Sequence, residues 1–162
     1  MQSNAEYAEW FRGRPKRLEV SLSAPNMTRV LPSQLADIGC ETPRINYDLH
    51  NGRPYRYFYA ISSDVDAENP GCIIKVDCVT GEVRTWCETY CYPSEPIFVA
   101  SPGAKAEDDG VLLSSLVFAN DTERVALIVL RASDLSELAR VSFRTPSPAP
   151  KCLHGWFLSN KA

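Results

Sequence analysis

Two kinds of side chain here have the types for metal or acid–base chemistry. One is the imidazole of His154, in Leu153-His154-Gly155-Trp156-Phe157; the other is the set of carboxylates at Glu41, Glu95 and Glu107-Asp108-Asp109. A neutral imidazole is the commonest protein ligand of transition metals, and a carboxylate can accept the ring N–H that a bound metal leaves free. Histidine is scarce: the only other one is His50, beside the Asn51-Gly52 turn signal, and it is read as solvent-exposed. A lone histidine is more often structural than ligating, so residue type alone stops short of a site. The run Glu107-Asp108-Asp109-Gly110 does not make one either, because successive side chains on an extended backbone point in opposite directions. Its acids are expected to satisfy backbone donors in the turn before the next strand. Glu95 stands between Ser94 and Pro96, and the proline biases it toward extended backbone, as at the start of a strand. On residue type alone, Glu41 and Glu95 would be exposed loop acids.

The elements that must position these groups are strands. Tyr55 to Tyr59 follows the Asn51-Gly52 turn and is dense in aromatics, with alternation placing three tyrosines on one face and Arg56 with Phe58 on the other, both faces partly covered. Cys72 to Asp77 and Glu82 to Cys87 flank Thr80-Gly81 and form a hairpin. A second unit runs through Ile97 to Ala100, Val111 to Phe118, Val125 to Leu130 and Leu138 to Phe143, with turns at Asn120-Glu123 and Ser133-Glu137. The Pro-rich stretch Thr145 to Pro150 reads as a loop, and Leu153 to Leu158 as a final strand. A short helix is expected around Ala5 to Phe11. Four antiparallel strands in such a length match a propeller blade of about 40–50 residues, although periodicity also allows a β-sandwich. Glu41, Glu95 and His154 recur roughly every 55–60 residues, once per unit of that size, which a propeller explains and a sandwich does not.

With 162 residues, 44% hydrophobic and 23% charged, the chain is long enough for one domain and too apolar for disorder. A net charge of -3 leaves no basic footprint for nucleic acid. No apolar run approaches the ~20 residues of a membrane span, and Met1 to Trp10 is polar without a signal-peptide core, so the expected location is the cytoplasm, with the mitochondrion as alternative. In that setting Cys40, Cys72, Cys78, Cys87, Cys91 and Cys152 are expected to be free thiols, and the sequons at Asn26 and Asn120 unused. Their spacings fit no common zinc ribbon.

Four runs taken together, Glu41-Thr42-Pro43-Arg44-Ile45-Asn46-Tyr47, Tyr92-Pro93-Ser94-Glu95-Pro96, Glu107-Asp108-Asp109-Gly110 and Leu153-His154-Gly155, resemble in order the C-terminal part of the carotenoid cleavage oxygenases. The resemblance extends from about Arg14 to Phe157. It implies an all-β fold: the last blades, about two plus a closing strand, of a seven-bladed β-propeller, with residues 1–162 as the C-terminal portion of that domain and 1–14 poorly defined. It implies that His154 is the last of four histidines holding one Fe(2+), and that Glu95 and Glu41 are carboxylates hydrogen-bonded to ligating imidazoles. Thr42 departs from the bulky apolar residue the family commonly carries beside Glu41. The implied activity is oxidative cleavage of one double bond of a carotenoid or apocarotenoid by dioxygen, giving two carbonyl products. A retinyl ester isomerohydrolase and a non-catalytic truncated binding protein are the alternatives. Partners would be a carotenoid or retinoid and dioxygen, with peripheral membrane contact by the longer parent and no nucleic acid. With one histidine where four are needed, the chain alone is expected to be inactive.

Overall fold

The computed structural model describes residues 13–20, 30–64 and 71–159. The helix expected at Ala5 to Phe11 and the sequon at Asn26 lie outside them. The regular structure of the described residues is almost entirely β: β1 (Lys16–Val20), β2 (Val30–Gln34), β3 (Glu41–Arg44), β4 (Tyr57–Ile61), β5 (Ile73–Asp77), β6 (Val83–Trp86), β7 (Cys91–Pro93), β8 (Ile97–Ala100), β9 (Gly110–Phe118), β10 (Arg124–Arg131) and β11 (Glu137–Arg144). One helical turn, α1 (Tyr47–His50), interrupts them. Among the described residues no helix is long and apolar enough to cross a membrane.

Three antiparallel sheets result. A hairpin pairs β1 with β2, a four-stranded sheet runs β3-β4-β5-β6, and a five-stranded sheet runs β11-β10-β9-β7 with β8 also paired to β9. β7 and β8 therefore share one edge of β9, as two halves of a strand broken at Ser94-Glu95-Pro96. Pro93 and Pro96 cannot donate to a ladder, which explains the break. Ser94 N–H still reaches Ser115 O at 2.9 Å, and the Ser114 hydroxyl donates to Ser94 O at 2.7 Å.

The main core lies between the two large sheets. Tyr59 and Ile73 of the first meet Leu112, Leu116, Phe118, Ile128 and Leu130 of the second. Alternation along β9 is strict, with Leu112, Ser114, Leu116 and Phe118 buried and the residues between them only half-buried. A second cluster, of Phe58, Ala60, Ile74 and Val76, covers the other face of the four-stranded sheet. The central strands β4 and β5 of the first sheet are thus buried on both faces, in keeping with Phe58 standing opposite the tyrosines.

Several expectations need correction. Tyr55 precedes β4 and packs with Phe58, so only Tyr57 and Tyr59 share the opposite face. His50 is half-buried rather than exposed, with Nδ1 2.8 Å from Pro54 O at the end of α1. Residues 153–158 form no strand, because no neighbouring backbone offers them a ladder. Cys72 and Cys87 are not free thiols but a disulfide. The hairpin brings them together: Ile73 pairs with Trp86, so the residues just beyond them face each other, with Cα atoms 4.6 Å apart. Finally, the acids before β9 serve a different sheet from the one expected. Glu107 accepts the backbone N–H of Arg56 and of Tyr57 at 2.7–3.0 Å, where β4 begins. Asp108 pairs with the buried ammonium of Lys75 on β5 at 2.5 Å, and Lys75 also donates to Ser133 O at 2.8 Å. Both contacts tie the second sheet to the first.

Candidate metal centre

Glu95 owes its position to the proline-bounded break between β7 and β8. Its side chain is only 6% exposed, an expensive place for a carboxylate unless it is surrounded by donors. Three surround it. Arg44 Nε lies 3.5 Å from Oε1, the Gly155 N–H donates to Oε2 at 3.2 Å, and His154 Nδ1 lies 3.4 Å from the same Oε2. The imidazole itself is 74% exposed. A buried carboxylate therefore faces one ring nitrogen while most of the ring stays accessible, the relation found where a histidine ligates a metal through its other nitrogen. The Nδ1 distance exceeds the 2.7–3.2 Å expected of a tight hydrogen bond.

Gly155 lets the chain pass close to β8: a Cβ there would sit 3.3 Å from Ile97 Cγ1. A cavity of about 280 Å³ opens beside the imidazole, lined by Ser94, Ile97, Leu113, Leu127, Trp156 and Phe157. The Ser94 hydroxyl is buried there without a hydrogen-bond partner.

Glu41 is not brought into this group. It starts β3, with its backbone opposite Ile61 and its side chain exposed, and among the described residues no hydrogen bond or ion pair links it to Glu95 or His154. Nor do three or more His, Cys, Asp or Glu side chains converge as a metal site among the described residues. The donor set fits one corner of a metal centre, an imidazole with its carboxylate, and needs ligands from elsewhere to be complete.

Arg44 carries more of the geometry than its place in the Glu41 run suggested. Between Glu41 and Arg44 the register with β4 slips, Thr42 takes a φ of 50°, and Pro43 cannot donate. A β-branched residue rarely holds a positive φ, and the bulge it makes re-aims the residues after it. No periodicity in the sequence signals that slip; the Thr-Pro pair was the one available clue.

Comparison with known proteins gives these strands a context. The family model described as RPE65: Retinal pigment epithelial membrane protein matches residues 1–159. Carotenoid isomerooxygenase of Galleria mellonella is 69% identical over 164 residues, covering 99% of this chain and 32% of that protein. Beta,beta-carotene 15,15'-dioxygenase of Rattus norvegicus is 42% identical over 120 residues, covering 74% of this chain and 20% of that protein. Among solved structures, cobalt-substituted Synechocystis apocarotenoid oxygenase superposes with a TM-score of 0.66 at 32% identity, over 76% of this chain and 26% of that one. The chain thus spans a fifth to a third of the length of these relatives. Carotenoid oxygenases are β-propellers, which decides that fold class over a sandwich for the two large sheets.

Proposed function

Since this chain belongs to the family of the retinal pigment epithelial protein RPE65 and the carotenoid oxygenases, we propose that it is the C-terminal portion of a propeller enzyme that cleaves a carotenoid or apocarotenoid double bond with dioxygen. The two large sheets would be consecutive blades, and His154 would be one of several histidines on a non-haem iron(II). The observation that carries the reading is the buried Glu95 carboxylate beside the exposed imidazole, with Oε2 3.4 Å from Nδ1. Glu95 would hold the ring by its Nδ1 side and offset part of the metal's charge, leaving Nε2 to ligate. The metal, when bound, supplies the Lewis-acid and redox chemistry that dioxygen requires. The ring-side cavity of about 280 Å³, lined by Ile97, Leu113 and Leu127, gives the imidazole an apolar surround that limits water. Glu41 would serve a second imidazole from outside this chain.

Both curated relatives compared above are named as oxygenases, which favours cleavage over the retinyl ester isomerohydrolase alternative. The 69% identity to a carotenoid isomerooxygenase further favours an enzyme that isomerises a double bond as well as cleaving one. For location we propose the cytoplasm, with the mitochondrion as alternative; the Cys72–Cys87 disulfide favours an oxidising compartment instead, and cell fractionation decides between them.

The test is His154→Ala in the full-length protein. Iron content by elemental analysis and polyene cleavage followed by absorbance should both fall at least tenfold while the melting temperature holds. Undiminished iron and cleavage would overturn the assignment and return His154 to a structural role.

A further inference from the structure

We infer that Arg44 is a positioning residue for the metal centre, acting through both Glu95 and the peptide that follows His154; the inference rests on the reading of His154 as a ligand. The side chain is 18% exposed, and its guanidinium lies near two aromatic rings, 5.3 Å from the centroid of Tyr47 and 5.5 Å from that of Trp156. From there its Nε faces Glu95 Oε1 at 3.5 Å while its Nη2 donates to Gly155 O at 3.3 Å. The Gly155 N–H returns to Glu95 Oε2 at 3.2 Å. Arg44, Glu95 and Gly155 therefore close a ring, with His154 Nδ1 3.4 Å from the same Oε2.

The ring answers a structural need. Residues 151–159 join no sheet, so the peptide carrying the imidazole has no ladder to fix it. Side chains take the ladder's place: Glu95 captures the N–H of Gly155 and Arg44 captures its carbonyl. Trp156, next along, lies with its ring centroid 5.5 Å from the same guanidinium. Arginine offers a planar fork of donors that can also sit against aromatic rings; lysine offers a point charge. The register slip at Thr42 sets Arg44 opposite Tyr59 instead of Phe58, which re-aims its side chain.

The experiment measures iron(II) affinity anaerobically, by competition with a chromophoric chelator, in the full-length protein. Arg44→Gln should weaken binding about 10- to 100-fold, the range seen when the partner of a ligating histidine is disturbed. Introduced into Glu95→Gln, the same change should cost at least about threefold less, because the carboxylate is gone and only the hold on Gly155 O remains. A residue that merely stabilised the fold would cost the same in both backgrounds, so equal losses overturn the proposal, as does an Arg44→Gln protein that binds iron like the wild type. If Arg44→Gln does not fold, Arg44→Lys replaces it in the same cycle, with an expected loss of about three- to tenfold that shrinks beside Glu95→Gln; equal losses again overturn it. A wild-type protein that binds no iron, or His154→Ala binding it unchanged, refutes the metal reading itself and is told apart from a failure confined to Arg44.

Discussion

Asp77 shows how much a single side chain can be bound into this fold. The Arg56 guanidinium donates to it at 2.6 and 2.9 Å, and the backbone N–H groups of Val79 and Thr80 add two more donors. These bonds, Arg56 first, outweigh burial and hold its carboxyl well below the usual carboxylate range. A folded-state pKa below the unfolded one means a contribution to stability that is complete above about pH 4 and is lost as the pH falls further. The melting temperature should therefore drop below about pH 4, and Asp77→Asn should melt lower than the wild type at neutral pH with a flatter acid limb. Parallel melting curves for the two proteins would sink the argument. Asp77 closes the Thr80-Gly81 turn, which was legible, but its partner Arg56 lies on the far side of the hairpin, a contact that only the β4–β5 pairing makes.

Two elements carry predictions of their own. Gly110 opens β9 against β8, where a Cβ would lie 2.4 Å from Val99 O and 3.1 Å from Ala100 Cα. Backbone on a paired strand cannot move aside, so Gly110→Ala should destabilise by about 1–3 kcal/mol or more. A denaturant midpoint equal to that of the wild type would contradict the close approach. In the first sheet, Cys72–Cys87 closes a loop with a sequence separation of 15 across the β5–β6 hairpin. Removing it by Cys87→Ser should cost about 3 kcal/mol on the chain-entropy estimate, read from the same midpoints; an unshifted midpoint would mean that the bridge does not form. The pairing was within reach of the sequence, since a hairpin turning at Thr80-Gly81 sets residues 72 and 87 opposite each other. Compartment alone does not reveal it, because redox setting says nothing about register.

Among the described residues, apolar side chains on one face of the second sheet stay exposed. On the outer side of the second sheet Leu127, Val141 and Phe143 are 40–54% exposed, and Trp156 reaches 76%. Exposed apolar side chains grouped on one sheet face are an aggregation liability. Expressed alone, the chain should aggregate or melt without a cooperative transition; a soluble monomer with a sharp melt would show instead that it is complete as it stands. Composition and periodicity settled the all-β class and placed nearly every strand from Tyr57 to Phe143, because a period of two and the turn residues between runs are local properties. The four motif runs pointed to the family for a similar reason, as each is short and contiguous. Which groups meet was decided by the tertiary structure. The break between Pro93 and Pro96, the bulge at Thr42 and the unpaired run after Pro150 together bring Arg44, Glu95 and Gly155 into one ring beside His154 and leave Glu41 outside it. Contacts between positions some 50 to 110 residues apart depend on register and on where ladders fail, and no local pattern in a chain encodes either.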